Sequence, residues 1–196
     1  MLSVHFLSTL LISFTTLAAS QPDYIEAIRG PGIILAVPSE DLTSANPVDA
    51  VGCLNDNGRL IAAASTDRSA CAIFDHADEY DTFVSGWWTK SGNCSFLDPS
   101  QEFNTDSHYG SRDNAFHCTK GVDIGDDLFI HFYTLGSWFD LPVLCNGNLN
   151  CYYDAKKIPS KGEALPIWPY RWGSQQMGIT PGHTQYVWMF QKVGST

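Results

Sequence analysis

Residues 128–135, Leu-Phe-Ile-His-Phe-Tyr-Thr-Leu, carry the strongest secondary-structure signal in the chain. Leu128, Ile130 and Phe132 fall on one face of an extended strand, and Phe129, Tyr133 and Leu135 fall on the other. Both faces are apolar, so the segment predicts a strand buried from two sides. Residues 184–193, Thr-Gln-Tyr-Val-Trp-Met-Phe-Gln-Lys-Val, repeat the pattern. There Tyr186, Trp188 and Phe190 oppose Val187, Met189 and Val193, again with aromatic and β-branched residues that favour strands.

Shorter segments extend the same period. Ile33 to Val37, Leu60 to Ala63, Ala72 to Phe74, Thr82 to Trp88, Val143 to Cys145 and Tyr152 to Ala155 are the further strand candidates. Helix signals are few: Asp23 caps a turn or two through Ile28, stopped by Gly30 and Pro31, and Asn46-Pro47 opens a second short helix through Val51. No internal repeat, charge block or Pro, Gly and Ser-rich linker divides the chain. The expectation is a mainly β fold: one disulfide-stabilised sandwich or distorted barrel with long loops and one or two short helices.

The N-terminus sets the compartment. Residues 6–17 are almost all apolar or small and uncharged, and Leu17, Ala18, Ala19 and Ser20 supply the small residues that signal peptidase accepts. Residues 1–20 therefore read as a secretory signal peptide, cleaved after Ser20, although the leading segment holds His5 and no Lys or Arg. A membrane anchor would need roughly 20 apolar residues. This run is shorter and is broken by Ser and Thr, and no later segment approaches that length. Residues 21–196, roughly 175 in number, are enough for one domain with a real core, expected as a secreted monomer without membrane insertion.

All 11 basic and 21 acidic residues follow residue 20, and the net charge is -10. Nucleic acid and anionic lipid both demand a basic footprint, so neither is an expected partner. Six cysteines occur, and an even count in an exported chain predicts three disulfides. Turn chemistry favours nearest-neighbour pairing. Asn146 to Asn150 reverses the chain between Cys145 and Cys151, and Asn57-Gly58 ahead of Leu60 to Ala64 is a hairpin signal between Cys53 and Cys71. Cys94 is then left with Cys118. Zinc is the rival use of cysteine, but no C-x-x-C pair occurs.

The histidines after residue 20 are His76, His108, His117, His131 and His183. No two have the spacing that a metal site on one strand or helix needs, and no cofactor is implied. His131 interrupts an apolar strand face, where a buried imidazole must find a partner. His117, with His108, Asp106, Arg112 and Asp113 nearby, has the residue types by which a secreted ribonuclease moves a proton and holds a phosphate oxyanion. Asp75, Asp78, Glu79 and Asp81 form one carboxylate cluster, and Asp123, Asp126 and Asp127 form another. Glycosidases place two carboxyls across a cleft, which sequence clustering does not measure, and solvated turns account for both groups. If the chain is an enzyme, His131, His117 and Asp127 are the candidate catalytic groups.

A faint calcium-loop likeness at Asn55 to Gly58 fails, because Cys53 stands at the first ligand position and Ala64 at the bidentate one. No nucleophile elbow, phosphate-binding glycine loop or zinc-protease helix is present. Trp87 and Trp88 are adjacent, so one faces the core and the other the opposite surface. Trp168, Tyr170, Arg171 and Trp172 form a rigid amphipathic segment that is the candidate binding surface, against the commoner use of tryptophan to fill the core of a small β domain. Asn93-Cys94-Ser95 marks Asn93 for glycosylation in a eukaryotic pathway.

The run from Gly52 to Cys71, GNCSF around Cys94, NTDSHYGSRDNAFHC ending at Cys118, CYYDAKK at Cys151 and RWGSQQMGITPGH resemble small secreted proteins of filamentous fungi. That resemblance implies a cystine-stabilised effector or inducer of cell death that acts on a host, often without enzymatic activity. Two functions are therefore expected in this order. The first is an extracellular protein that binds at a host or cell-wall surface, and the second is a small secreted hydrolase acting on RNA or carbohydrate.

Overall fold

A computed structural model describes residues 28–76, 79–80, 83–107, 114–121, 131–135, 139–147, 151–170 and 178–194. Residues 1–20 and most of the helix expected before Ile28 lie outside them. The fold is mainly β, and the described residues include two single-turn 3-10 helices at Leu42–Ser44 and Pro47–Asp49. The second opens where expected, with the Asn46 side chain accepting from the Val48 amide, but it ends at Asp49 and does not reach Val51.

The organising strand is β15 (Thr184–Lys192), whose two faces are both apolar as its sequence requires. Along one edge it pairs antiparallel with β1 (Gly32–Pro38) over that strand's whole length, from Gly32 opposite Lys192 to Pro38 opposite Tyr186. Its other edge is shared. β11 (Val143–Asn146) takes the end near Met189, and β12 (Tyr152–Ala155) takes the end near Tyr186. The chain leaves β15 after Leu144 and returns at Tyr153, and Cys145–Cys151 closes the excursion, with the two Cα atoms 4.0 Å apart.

Outward from β1 lie β2 (Gly52–Leu54), β3 (Leu60–Ala62) and the short edge strand β13 (Ala164–Leu165). Outward from β11 lie β10 (His131–Leu135), β6 (Phe83–Ser85) and β5 (Glu79–Tyr80), while β14 (Trp168–Tyr170) adds to β12. The strand predicted over residues 128–135 is thus internal to the sheet, between β11 and β6, over the part described. The β2–β3 hairpin forms as expected. Its turn is built on Asn55, whose side-chain oxygen accepts from the Asn57 and Arg59 amides at 3.1 and 2.9 Å, with Gly58 at φ +79°.

A second sheet has the order β4 (Asp75–His76), β7 (Trp87–Thr89), β8 (Gly92–Ser95), β9 (His117–Thr119). The single strand expected over Thr82 to Trp88 is two strands, broken at Gly86. One half, β6, belongs to the large sheet and the other, β7, to the small one. Likewise the expected strand Ala72 to Phe74 contributes only a bridge from Phe74 to Gly32, and the strand proper begins at Asp75. Hydrogen bonds tie the small sheet to the curled large one: Phe74 and Gly32 exchange two at 2.8 and 2.9 Å, and Phe116 donates to Ile167 at 2.8 Å.

Between the sheets lies an aromatic core. Trp188 stacks on Tyr153 with centroids 3.6 Å apart and planes within 7°, and Phe96 and Phe116 close around them. Trp87 packs on Phe190 and Phe74, while Trp88 points outward, the opposite facing expected of adjacent strand residues. The other face of β15 is covered too: Val187 and Met189 pack with Leu35, Val143 and the disulfides Cys53–Cys71 and Cys145–Cys151. Cys94 and Cys118 are directly opposite on β8 and β9, which completes the nearest-neighbour pattern.

The two cystines of that second face close loops of unequal length, with sequence separations of 18 and 6 residues. Constraint of the unfolded chain then contributes about 3 kcal/mol for Cys53–Cys71 and about 2 kcal/mol for Cys145–Cys151. Urea unfolding of the two double-alanine variants should therefore show the larger drop for Cys53→Ala/Cys71→Ala. Equal or reversed losses would remove loop length as the cause.

Candidate functional site

A carboxylate inside a β protein needs partners for both oxygens. Asp154, in β12, is completely buried. Its Oδ2 accepts from the Asn104 side-chain amide at 2.7 Å, and its Oδ1 accepts from Nδ1 of His183 at 2.7 Å. Pairing of β12 with β15 brings these groups together, because Asp154 lies opposite Gln185 and His183 immediately precedes β15.

With Nδ1 held by Asp154, Nε2 of His183 faces Asp106, whose Oδ2 is 3.5 Å away. Lys156 reaches the same Asp106 oxygen at 3.0 Å. Hydrogen bonds from Lys156 and then Thr105, together with the Lys156 charge, hold the Asp106 carboxyl below its ordinary pKa. Burial, reinforced by the Asp154 charge, raises the Tyr170 hydroxyl. His183 also walls an open pocket of about 450 Å³, shared with Ser39, Glu40, Ser44, Ile179 and Gln185. The arrangement can orient an imidazole, accept or donate a proton at Nε2, and offer hydroxyl, amide and carboxylate groups to a polar ligand.

A second His–carboxylate pair joins β9 to the segment after β8. Nδ1 of His117 lies 2.6 Å from Oδ2 of Asp98. Burial works to raise the Asp98 pKa, but hydrogen bonds from Ser100 and His117 and the His117 charge outweigh it, leaving the carboxyl below its ordinary value. A depressed carboxyl stabilises the fold fully above its unfolded pKa, about 3.9. That contribution is lost as pH falls through the folded value. The melting-temperature gap between the wild type and Asp98→Asn should be present at pH 5 and narrow as the pH is lowered below about 4. A gap that widened toward acid would reverse the assignment.

The other sequence candidates are distributed differently. Trp168 and Tyr170 are 1% and 2% exposed, so they are core residues of β14 and present no contact surface. Pairing of β14 with β12 draws them inward, and the Trp168 indole N–H donates to the Glu102 carbonyl at 3.0 Å. Arg171, Trp172, Asp127, His108, Arg112 and Asp113 lie outside the described residues. His131 stands opposite Ser85 in β10. His76 is a satisfied core histidine: its Nε2–H donates to the Ile28 carbonyl at 2.7 Å and its ring packs edge-on against Trp87. Asn93 is exposed on β8.

A pocket of about 710 Å³ runs beside β3 and residues 161–164 and is lined by no histidine or aromatic side chain. No group of three or more His, Cys, Asp or Glu among the described residues is placed to hold a metal ion. No helix among them is long and apolar enough to cross a membrane. Compared with protein-family models, curated proteins and solved structures, the chain matches none.

Proposed function

We propose that the chain is a secreted protein of the effector or cell-death-inducer type. In this reading it works outside the cell as a monomer by binding a component of a host or cell-wall surface, with the ligand held in the pocket that His183 walls. The observation that carries the reading is Asp154. Burying a carboxylate costs several kcal/mol unless it is fully paired, and here the pairing fixes the ring of a histidine at the rim of a polar pocket. Three cystines suit an oxidising exterior.

The second reading, a small secreted hydrolase, draws on the same residues. His183 has the Asp154 carboxylate behind Nδ1 and Asp106 ahead of Nε2, an arrangement that holds an imidazole in one tautomer as a general base requires. In that case His183, Asp154 and Asp106 join His131, His117 and Asp127 as candidate acid-base groups.

One set of measurements separates the two. Wild type and His183→Gln, matched for circular dichroism and melting, are compared for binding to plant cell-wall material and for release of nucleotides from RNA or reducing ends from polysaccharide. Binding through the pocket should fall roughly thirtyfold in His183→Gln, the scale of a hot-spot residue, with no turnover by the wild type. Undiminished binding would remove the pocket assignment. Turnover by the wild type that His183→Gln loses would make the protein a hydrolase.

A further inference from the structure

The acceptor tripeptide Asn93-Cys94-Ser95 lies in β8, which is paired on one edge with β7 and on the other with β9. Asn93 is exposed, directly opposite Trp88 on β7 and Thr119 on β9. Trp88 is the exposed tryptophan among the described residues, at 37%. Opposite residues of an antiparallel pair have Cβ atoms about 5 Å apart. A sugar on Asn93 therefore starts beside the Trp88 side chain.

Access to the tripeptide is the difficulty. A glycosyl transferase reads the hydroxyl two residues beyond the asparagine. Ser95 is only 1% exposed, and its oxygen accepts from the Leu97 amide at 3.2 Å. Cys94 is bonded to Cys118 across the β8–β9 pair. At Gly92, φ is +128° and an added Cβ would lie 2.3 Å from the Thr119 carbonyl carbon, so the two backbones are in contact there. Both edges of the acceptor strand are occupied and its hydroxyl is enclosed.

We propose that Asn93 carries an N-linked glycan, that transfer precedes the joining of β8 to β9 and the formation of Cys94–Cys118, and that the first sugars then lie over Trp88. The proposal rests on the export reading, since an exported chain is the one that meets the transferase. In the transfer, Nδ2 of Asn93 attacks the anomeric carbon of a lipid-diphosphate oligosaccharide. A C–N bond forms, the bond from that carbon to the phosphate oxygen breaks, lipid diphosphate leaves and one amide proton is released. Afterwards the Cys94 and Cys118 thiols give up two electrons and two protons to an oxidised thiol-exchange partner. Once that bond closes, the acceptor is sealed in the sheet.

The test uses the chain made without sugar, offered to solubilised oligosaccharyltransferase and its lipid-linked donor either oxidised and folded or reduced and unfolded, with Asn93→Gln as the blank. The reduced chain should accept sugar at least tenfold faster. Comparable transfer to the folded, oxidised protein overturns the order, and no transfer to either form overturns Asn93 as an acceptor. Because purified chain is used, this outcome is independent of export, whose failure would instead appear as wild-type chain retained without sugar inside a eukaryotic host. Acrylamide quenching tests the covering of Trp88. The quenchable fluorescence removed by Trp88→Phe should be at least twofold smaller when Asn93 is glycosylated, and an unchanged value would overturn the contact.

Discussion

Trp188→Ala should lower the unfolding free energy by about 3–5 kcal/mol. The side chain is fully buried, stacked on Tyr153 and flanked by Phe96 and Phe116, in the strand that the large sheet is assembled around. Truncation removes apolar area and leaves a void between two sheets that are tied to each other and cannot collapse onto it. Neighbouring aromatics lose an offset-stacking term as well, about 1 kcal/mol per pair. Urea denaturation with the disulfides intact is the measurement: the midpoint should fall sharply while the slope stays near that of the wild type. A loss under about 1.5 kcal/mol would mean that the core closes over the site far more readily than its packing suggests. Trp188→Phe should recover part of the loss, because it keeps a ring against Tyr153.

Asp154→Ala should cost a similar amount, about 3–5 kcal/mol, for a different reason. Removing the carboxylate strands the buried Asn104 amide and Nδ1 of His183, both of which lose their acceptor. Asp154→Asn sharpens the argument. Its amide keeps the shape but presents one donor to another, so one of the two hydrogen bonds is lost and about 1–3 kcal/mol goes with it. The order alanine worse than asparagine, both worse than wild type, is the expected result in thermal and urea unfolding at pH 7. An Asp154→Asn variant as stable as the wild type would show that the carboxylate charge contributes nothing to holding His183.

The β architecture was readable because alternation survives tertiary context where both faces of a strand are covered. Thr184 to Val193 announced its two faces, and both are buried, one under aromatics and one under cystines. Disulfide pairing was readable for a related reason: each pair spans a single turn or reversal, and turn residues are local. The break at Gly86 was not readable. An apolar strand that changes sheets keeps its alternation, and only the positive φ of one glycine, at 64°, marks the corner.

The candidate site was legible only in part. His183 stood in the histidine inventory without a partner, because Asp154 is 29 residues away in sequence and meets it through strand pairing. A signal was available in Tyr152 to Ala155, where a lone carboxylate interrupts a strand rich in aromatics and must find donors once buried. Trp168 and Tyr170 were open to two readings, core and contact surface, and burial decides for the core. Rigid aromatics suit an interface and a core equally, and composition does not distinguish them.

The pairing of β1 with β15 has a consequence for synthesis. A chain made from its N-terminus holds Gly32 to Pro38 without their main partner until residue 192 has emerged. At ribosomal speeds of 5–20 residues per second, the roughly 70 residues from the end of β9 to the end of the last strand take on the order of 4–14 s. Throughout that interval the large sheet lacks its central strand and the aromatic core lacks Trp188, so nascent chain stays open to whatever enzymes and thiol catalysts surround it. The fold is completed by the final strand, and the timetable of its covalent modifications is written in the order of its strands.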